Sequence, residues 1–559
     1  MAVNCANARK SRKRLSCILH KMDCATCTIV VGLVEKLSIV HNESIVSSLE
    51  RICNALPTEL KPYCKTAVEF LGPIIIDGFL KKETPDVICH AMKICTTDPD
   101  QPECHLFPSK SLTMSLVHSG SRLRRQHPTL EPFFDLKLCT LPGIREICKI
   151  FENVFRSHIP LVDVDNDRFG IESAFRGSSW RGRDCNDFVR NIRPGARAVK
   201  GDYTVDNNCN GIFGINASTG RPWEEEFCDD TQRLGIAVLG DSISAHFHIP
   251  EQWLDASQFS PAAFEHMMLI IENELDWPQV SDITGHVNLT WPNIEGTTRS
   301  IYARMFELDH CNHRDYQNIA VNGANSKSML DIVKTLSRDQ ENDVPMLVIY
   351  SLVGNDVCDG RLSTMLDMTT VEQMRTNVLA TLTYLDTVLP KGSHVLATGL
   401  ANGSTLYELL HDRIHPFGRV GTPFTYKQIY SYLSCLQISP CAGWLTSNDS
   451  LRASTTQRAF ELSDAVKNAT LYASYKPRNF DVDYLDFPLD DIMAKWIAQG
   501  GEPWQLIESV DGFHINQYGH ALVSDVLWSW LTKNRPQWLP SLNPHNADIE
   551  RIFKDQGGY

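Results

Sequence analysis

The chain has 559 residues, 43% hydrophobic and 21% charged, with a formal net charge of −14. That length exceeds one ordinary core, so two or more domains are expected, and the composition is that of a globular protein. The acidic balance argues against a nucleic-acid partner or a generally basic membrane-binding surface, and it requires any anionic substrate to be held by a local patch or by its apolar part.

The first 22 residues are atypical. They carry a basic run, Arg9-Lys10-Ser11-Arg12-Lys13-Arg14, with no long apolar region behind it, so a standard signal peptide is not visible. Yet 18 cysteines with ordered spacing, and Asn-x-Ser/Thr sequons at Asn42, Asn216, Asn288, Asn402, Asn448 and Asn468, predict a glycosylated protein of an oxidising compartment, secreted or in a lysosomal or vesicular lumen. The expectation is therefore that the natural start differs from this one, with an unusual export route as the alternative. No stretch reads as a transmembrane helix; Val68–Leu80 is interrupted by Gly72, Pro73 and Asp77.

Residues 23–104 hold Cys24, Cys27, Cys53, Cys64, Cys89 and Cys95, separated by helical apolar patterns over Thr28–Val40, Ser44–Leu56 and Thr66–Leu80. Cys24-x-x-Cys27 lacks the second close pair that a zinc site of this type needs. The six-cysteine pattern resembles the saposin B-type family. That resemblance implies a small all-helical unit closed by Cys24–Cys95, Cys27–Cys89 and Cys53–Cys64, which opens to bind lipid tails. A unit that only folds and shields its neighbour is the other reading.

Residues 105–135, rich in Ser, Pro and His, read as a linker or propeptide. Arg122-Leu123-Arg124-Arg125 is a candidate processing site, or simply a solvated charge run. Cys104 precedes this stretch and Cys139 and Cys148 follow it, so a disulfide would keep two cleaved pieces together.

Residues 136–230 form a Cys/Asp-rich region. Asp163, Asp165 and Asp167 alternate with short residues, followed by Asp184-Cys185-Asn186-Asp187 and Asp206-Asn207-Asn208-Cys209-Asn210-Gly211. Hard cations take six to eight oxygen ligands, and closely spaced Asp and Asn provide them. The pattern is similar to calcium-binding loops stapled by a disulfide, which implies Cys185–Cys209 and a structural calcium held by Asp163, Asp165, Asp167, Asp184, Asn186, Asp187, Asp206, Asn208 and Asn210. Phe188-Val189-Arg190 stands where such loops often carry further acids. A plain polar loop is the alternative.

From residue 231 to 559 the pattern is α/β. Strand candidates are Ile236–Leu239, Met346–Ser351, His394–Thr398 and Val482–Phe487, with helical stretches between them, which predicts a largely parallel sheet with its chemistry at the carboxyl strand ends. The polar segments 250–310 and 403–480 read as insertions that shape a cleft. The first strand runs into Gly240-Asp241-Ser242, placing a hydroxyl at a strand-to-helix turn. A serine is a weak nucleophile and needs a base with an orienting partner. Asp511-Gly-Phe-His514 supplies both from one short loop. Asn322-Gly323-Ala324-Asn325 offers an approachable backbone N–H, and Gly354-Asn355-Asp356 places an amide at a strand end.

These four elements in this order resemble the SGNH (GDSL-type) hydrolase family over roughly residues 231–535. The resemblance implies a three-layer α/β fold with Ser242 as nucleophile, His514 as general base and acid, and Asp511 fixing the imidazole. The N–H groups of Ser242 and Gly323 and the side chain of Asn355 would form the oxyanion hole. Ile243 and Ser244-Ala245-His246-Phe247-His248 replace the usual Leu-containing turn; His246 and His248 either touch substrate or are packed structural histidines.

The whole arrangement is similar to a family of lipopolysaccharide-deacylating esterases. So are Trp180–Asp187, the run from His310 to Asn318, and Glu502–Glu508. What this resemblance implies is removal of secondary, acyloxyacyl-linked fatty acyl chains from lipid A, membrane or micelle contact through the saposin-like unit, and cleavage into disulfide-joined small and large subunits. A broader phospholipase or acyl-ester lipase is compatible with the same triad. A catalytically silent lipid-binding protein is a third reading, against which the joint presence of Ser242, Gly323, Asn355, Asp511 and His514 speaks. No His/Glu cluster sits at the spacing of a hydrolytic metal site.

Overall fold

The computed structural model describes residues 11–97, 101–108, 115–127, 144–289, 294–358, 367–472 and 476–559. Four helices build the N-terminal unit: α1 Ser11–His41, α2 Ile45–Ala55, α3 Lys61–Leu80 and α4 Pro85–Ala91. Their apolar faces bury Val31, Val34, Leu49, Ile74, Ile75 and Ile88 in one cluster. Cys24–Cys95, Cys27–Cys89 and Cys53–Cys64 close it, the pairing that the saposin resemblance implies. Within α1, Lys21–His41 is long and apolar enough by composition to cross a membrane, contrary to the sequence expectation. More than half of that stretch is buried inside the protein, and two of its residues, Cys24 and Cys27, are bridged to the end of the unit.

The expected linker contains a helix that the sequence reading did not foresee. Leu116–Arg124 forms a helix beside α4, with Leu116 and Leu123 buried. Gly120 permits that approach, because a Cβ there would lie 2.8 Å from the backbone nitrogen of Ala91. The Glu103 carboxylate accepts the N–H groups of Leu116 and Val117, satisfying orphan donors at the helix start. Arg122 pairs with Glu83 and Arg124 bonds Ser121, so the basic cluster sits at a helix end.

The C-terminal domain is built on five parallel strands in the order β2-β1-β3-β4-β5: β1 Gly235–Gly240, β2 Tyr316–Asn318, β3 Met346–Ser351, β4 Ser393–Thr398 and β5 Phe480–Leu485. Alternate residues of the central strands enter two cores. Ile236, Val238, Leu347, Ile349 and Leu396 face Leu522, Leu527 and Leu531 of the helix Gln517–Asn534. Ala237, Leu239, Val348, Tyr350 and Val395 face the helices Val371–Val388 and Asp449–Lys467. Each fully buried aliphatic side chain contributes roughly 1.5–3 kcal/mol, and parallel strands covered on both faces read as unbroken apolar runs. The connection sense changes between β1 and β3, where an open α/β sheet leaves a crevice at its carboxyl edge.

β2 escaped the sequence reading because Tyr316-Gln317-Asn318 has no apolar run and spans three residues. It is an edge strand held by the Asp-rich region: Asn318 N–H donates to the Trp180 carbonyl at 2.6 Å, and Arg181 bridges Gln317.

Cys435 and Cys441, close enough in sequence to suggest a local bridge, do not pair. Cys435 joins Cys104 across 331 residues, tying the N-terminal unit covalently to the C-terminal domain, and Cys441 joins Cys358 in the sheet's core. Cys185–Cys209 forms as expected, and Cys228–Cys311 adds a further staple. Residues 1–10 with Cys5, the side chain of Cys17, Cys139, and the side chain of Cys148 lie outside the described residues. Of the sequons, Asn42, Asn288, Asn448 and Asn468 are exposed, whereas Asn216 and Asn402 are half-buried.

Candidate active site

The apolar strand β1 ends at Gly240, and Asp241 caps the short helix Ser242–Ala245 by accepting the N–H of Ile243 at 3.0 Å. A Cβ at Gly240 would meet the Ser244 side chain at 2.3 Å, so only glycine lets strand and helix turn this tightly. Ser242 stands at the helix start, where unpaired N–H groups and the helix dipole favour negative charge.

His514 Nε2 lies 2.7 Å from Ser242 Oγ, and His514 Nδ1 lies 2.5 Å from Asp511 Oδ2. The other oxygen of Asp511 accepts the N–H groups of Phe513 and His514, so the loop folds around its own carboxylate. Burial opposes both charges of this pair, but their mutual attraction and hydrogen bonds outweigh it. The Asp511 carboxyl is held below its ordinary range, and the His514 imidazole is raised above its own, with Asp241 and Glu508 adding to the rise. The proposed nucleophile, base and orienting acid are thus brought into one hydrogen-bonded line.

Of the three residues expected to form an oxyanion hole, Ser242 and Asn355 line one pocket, and the loop of Gly323 is joined to the end of β1 by Val321 N–H to the Gly240 carbonyl at 3.2 Å. No internal acceptor among the described residues takes the N–H of Ser242 or Gly323. Gly323 has φ +75°, and a Cβ there would meet nothing within 4 Å, so backbone conformation rather than space requires glycine. Asn355 follows β3, and its amide donates to Asp241 Oδ2 at 3.3 Å. The same oxygen accepts Val353 N–H at 2.8 Å and Gly354 N–H at 3.3 Å.

Asp241, buried at 1% exposure, is therefore a site residue that sequence reasoning passed over. Its place inside Gly-Asp-Ser was the available signal. Burial pushes its carboxyl up, against the pull of the Val353 and Ile243 N–H groups.

The Gly323 loop is braced from the Asp-rich region. Arg176 Nη1 donates to the Ala320 carbonyl at 2.7 Å, forms an ion pair with Glu274, and lies 3.7 Å over the Trp180 ring. Asn322 donates to the Glu274 carbonyl. His246 is fully buried against His520, the rings 3.9 Å apart, while His248 Nδ1 meets the buried Glu508 at 2.7 Å. His246 is thereby a packed histidine, and His248 holds the strand of chain that precedes the triad loop.

An apolar pocket opens at Ser242 and Asn355, walled by Ala401, Leu406, Trp444, Phe487, Leu489 and Phe513. Its walls are hydrophobic, with polar groups only at the Ser242 end.

The acidic residues divide into two groups. Oxygens of Asp163, Asp165 and Asp187, and of Asp165, Asp167 and Asp184, lie within 4.8 Å of one another. One oxygen each of Asp165, Asp167 and Asp184 is buried with no hydrogen-bond partner. An all-oxygen set with buried, unpartnered carboxylates has the chemistry of a hard-cation site. Asn186 flanks it, its side-chain oxygen turned to Phe188 N–H. Asp206 is not in this cluster; its oxygens accept Asn210 and Gly211 N–H groups. The side-chain amides of Asn208 and Asn210 donate to the buried Glu224.

Comparison with known proteins agrees with this geometry. A model of the saposin-like domain matches residues 23–149, and a model of the GDSL-like lipase/acylhydrolase matches residues 236–527. Acyloxyacyl hydrolase of Oryctolagus cuniculus is 42% identical over 96% of this chain and 93% of its own. Those of Mus musculus (97% and 94%) and Homo sapiens (99% and 96%) are each 41% identical. A buried Ser–His–Asp line beside an apolar pocket, in a chain matched nearly end to end by these relatives, makes this protein a carboxylic ester hydrolase that belongs to the acyloxyacyl hydrolase family.

Proposed function

We propose that the enzyme removes secondary, acyloxyacyl-linked fatty acyl chains from the lipid A part of bacterial lipopolysaccharide, and so detoxifies it. The observation that carries this reading is the apolar pocket ending at Ser242 in a chain whose saposin-like unit is bridged to the catalytic domain by Cys104–Cys435. An acyl chain gains roughly 0.8 kcal/mol per buried methylene, so an acidic protein can hold an anionic amphiphile through its tails.

The chemistry follows from the distances. With the acyl chain in the pocket, Ser242 Oγ attacks the ester carbonyl while His514 Nε2 takes the hydroxyl proton. Negative charge developing on the carbonyl oxygen meets the N–H groups of Ser242 and Gly323 and the Asn355 amide. Asp511 stabilises the imidazolium, which then protonates the departing hydroxyacyl oxygen. In the second half His514 activates water, which releases the fatty acid and frees Ser242.

Asp163, Asp165, Asp167, Asp184 and Asp187, with Asn186 beside them, would hold a structural calcium, neutralising carboxylates that otherwise repel one another. Asp206, Asn208 and Asn210 belong to a neighbouring loop stapled to the first by Cys185–Cys209. Seven disulfides among the described residues support a secreted or lumenal location. Cleavage near Arg122–Arg125 would yield a small lipid-binding subunit and a large catalytic one, still bridged.

The test is fatty-acid release from lipopolysaccharide by the purified protein, beside Ser242→Ala and a phospholipid control. Release of ester-linked secondary chains alone, lost in the variant, supports the proposal. Release from phospholipid alone reassigns the enzyme as a general lipase. Lipid binding without release from either substrate overturns the catalytic assignment.

A further inference from the structure

The segment 411–436 has two faces, and they meet different parts of the molecule. On one face it completes the core of the saposin-like unit: Phe417, Phe424, Ile429, Tyr432 and Leu436 share a cluster with Val31, Val34 and Phe107. The Lys36 ammonium, almost fully buried, donates to the carbonyls of Val420 at 2.6 Å and Thr422 at 3.2 Å and lies over the Phe417 and Phe424 rings. Tyr432 donates to Thr28, and Cys435, at the end of the helix Tyr426–Cys435, is bridged to Cys104.

On the other face, three side chains grip the backbone on both sides of Asp511. Tyr426 donates to the Ser509 carbonyl at 2.5 Å, and Tyr430 donates to the Gly512 carbonyl at 2.8 Å. His415 Nε2 lies 2.7 Å from the Val510 carbonyl, and its Nδ1 accepts Phe417 N–H at 3.2 Å, which fixes Nε2–H as the donor. All three are buried. Gly512, at φ +61°, has no room for a side chain, since a Cβ would come within 2.2 Å of the Tyr430 hydroxyl. The segment is stiff between its two faces: Ile414 bridges Thr425, and the chain closes on itself through His415 N–H to the Phe424 carbonyl at 2.9 Å.

We propose that residues 411–436 form a positioning element that carries the seating of the saposin-like unit to the acid of the triad, with His415, Tyr426 and Tyr430 as the positioning residues. The inference rests on the ester-hydrolase chemistry of Ser242 and not on which lipid is the substrate. Asp511 acts only while it faces His514 Nδ1, and a displacement on the order of 1 Å in such a site costs about a hundredfold in rate. Packing of α1 on Phe417 and Phe424 presses the same short segment that bonds residues 509, 510 and 512. A saposin-like unit that loosens or re-seats therefore changes the triad.

The test uses a fluorophosphonate, which needs no lipid binding. Ser242 Oγ forms the P–O bond, fluoride leaves, and His514 takes the serine proton. The rate of phosphonylation is measured on the full chain from pH 5 to 9, with a melting curve for each variant. Tyr426→Phe/Tyr430→Phe is expected to react on the order of ten- to a hundredfold more slowly than wild type. Its acid limb should move to lower pH, because a loosened Asp511 supports the imidazolium less, leaving Asp241, Glu508 with its partner His248, and the nearby His246 around His514. His415→Gln, which keeps a donor at the Nε2 position, should retain most of the rate, and His415→Leu should lose it. Lys36→Met, which removes the anchor on Val420 and Thr422, should slow the reaction in the same direction. Unchanged rates and acid limb in the tyrosine variant overturn the proposal, as do equal losses in the two His415 variants. An unaffected Lys36→Met overturns the link to the saposin-like unit. If the tyrosine variant melts early, the His415 pair decides. Absence of labelling in the wild type would instead count against the triad itself.

Discussion

The Asp241 carboxylate accepts the backbone N–H of Val353 at 2.8 Å, joining the end of β1 to the loop that carries Asn355. One buried oxygen thus gathers three donors, two of them backbone, and fixes Asn355 relative to Ser242. Asp241→Asn places an amide where those N–H groups need an acceptor. It is expected to lower kcat by roughly a hundredfold with a smaller effect on KM, as is Asn355→Ala. Steady-state kinetics on a short soluble ester checks both.

The acid limb of kcat/KM follows from the sign of the His514 shift. Burial opposes the imidazolium, but Asp511, Asp241 and Glu508 together raise its pKa above the ordinary value. The base works only when neutral, so activity falls as pH drops through a midpoint above roughly 6.5. Asp511→Asn removes the largest supporting charge, which moves the midpoint down and lowers kcat by about 10³–10⁴. A pH–rate profile of both proteins decides this.

Leu406 and Trp444 line the pocket, and both are almost fully buried. The pocket has no slack there, since a Cβ on Gly403 would come within 2.2 Å of the Trp444 ring. Leu406→Trp is expected to remove hydrolysis of long-chain esters while butyrate esters remain substrates. A chain-length series of nitrophenyl esters reads the difference.

Chelation bears on the acidic cluster. The unpartnered oxygens of Asp165, Asp167 and Asp184 repel one another unless a cation joins them. Ligand binding at a hundredfold excess over Kd adds about 2.7 kcal/mol. Removing calcium with EGTA should therefore lower Tm by roughly 2–3 °C. Asp167→Asn should abolish the difference between the calcium and EGTA melting curves.

Arg122 is exposed at a helix end, with Cys104 before it in the chain and Cys435 after it, so their disulfide spans a cut there. A trypsin nick at Arg122–Arg125 is expected to leave one species on a non-reducing gel and two after reduction. Two species without reductant would contradict the bridge.

Much of this protein is legible along the chain because its signals are local. The run Ile236–Leu239 reads as a strand since a parallel strand buried on both faces must be apolar throughout. Gly-Asp-Ser after it, and Asp511 three residues before His514, are complete within a turn. The saposin-like pairing is implied by the family resemblance that the six cysteines and the helical patterns between them carry, and the structure forms it. Other features exist only in three dimensions. Tyr316–Asn318 becomes a strand because Trp180 and Arg181 cover its edge, which no three-residue pattern encodes. Cys435 and Cys441 are close in sequence, but Cys435 ends a helix against the saposin-like core and Cys441 packs under the sheet, so each finds a distant partner. The grip of His415, Tyr426 and Tyr430 on the Asp511 loop spans more than 80 residues of chain. Sequence alone named the candidate groups for the chemistry, because motif and strand are short-range. The tertiary structure decided what holds them in line, because burial and hydrogen-bond geometry depend on which distant surfaces come to face each other.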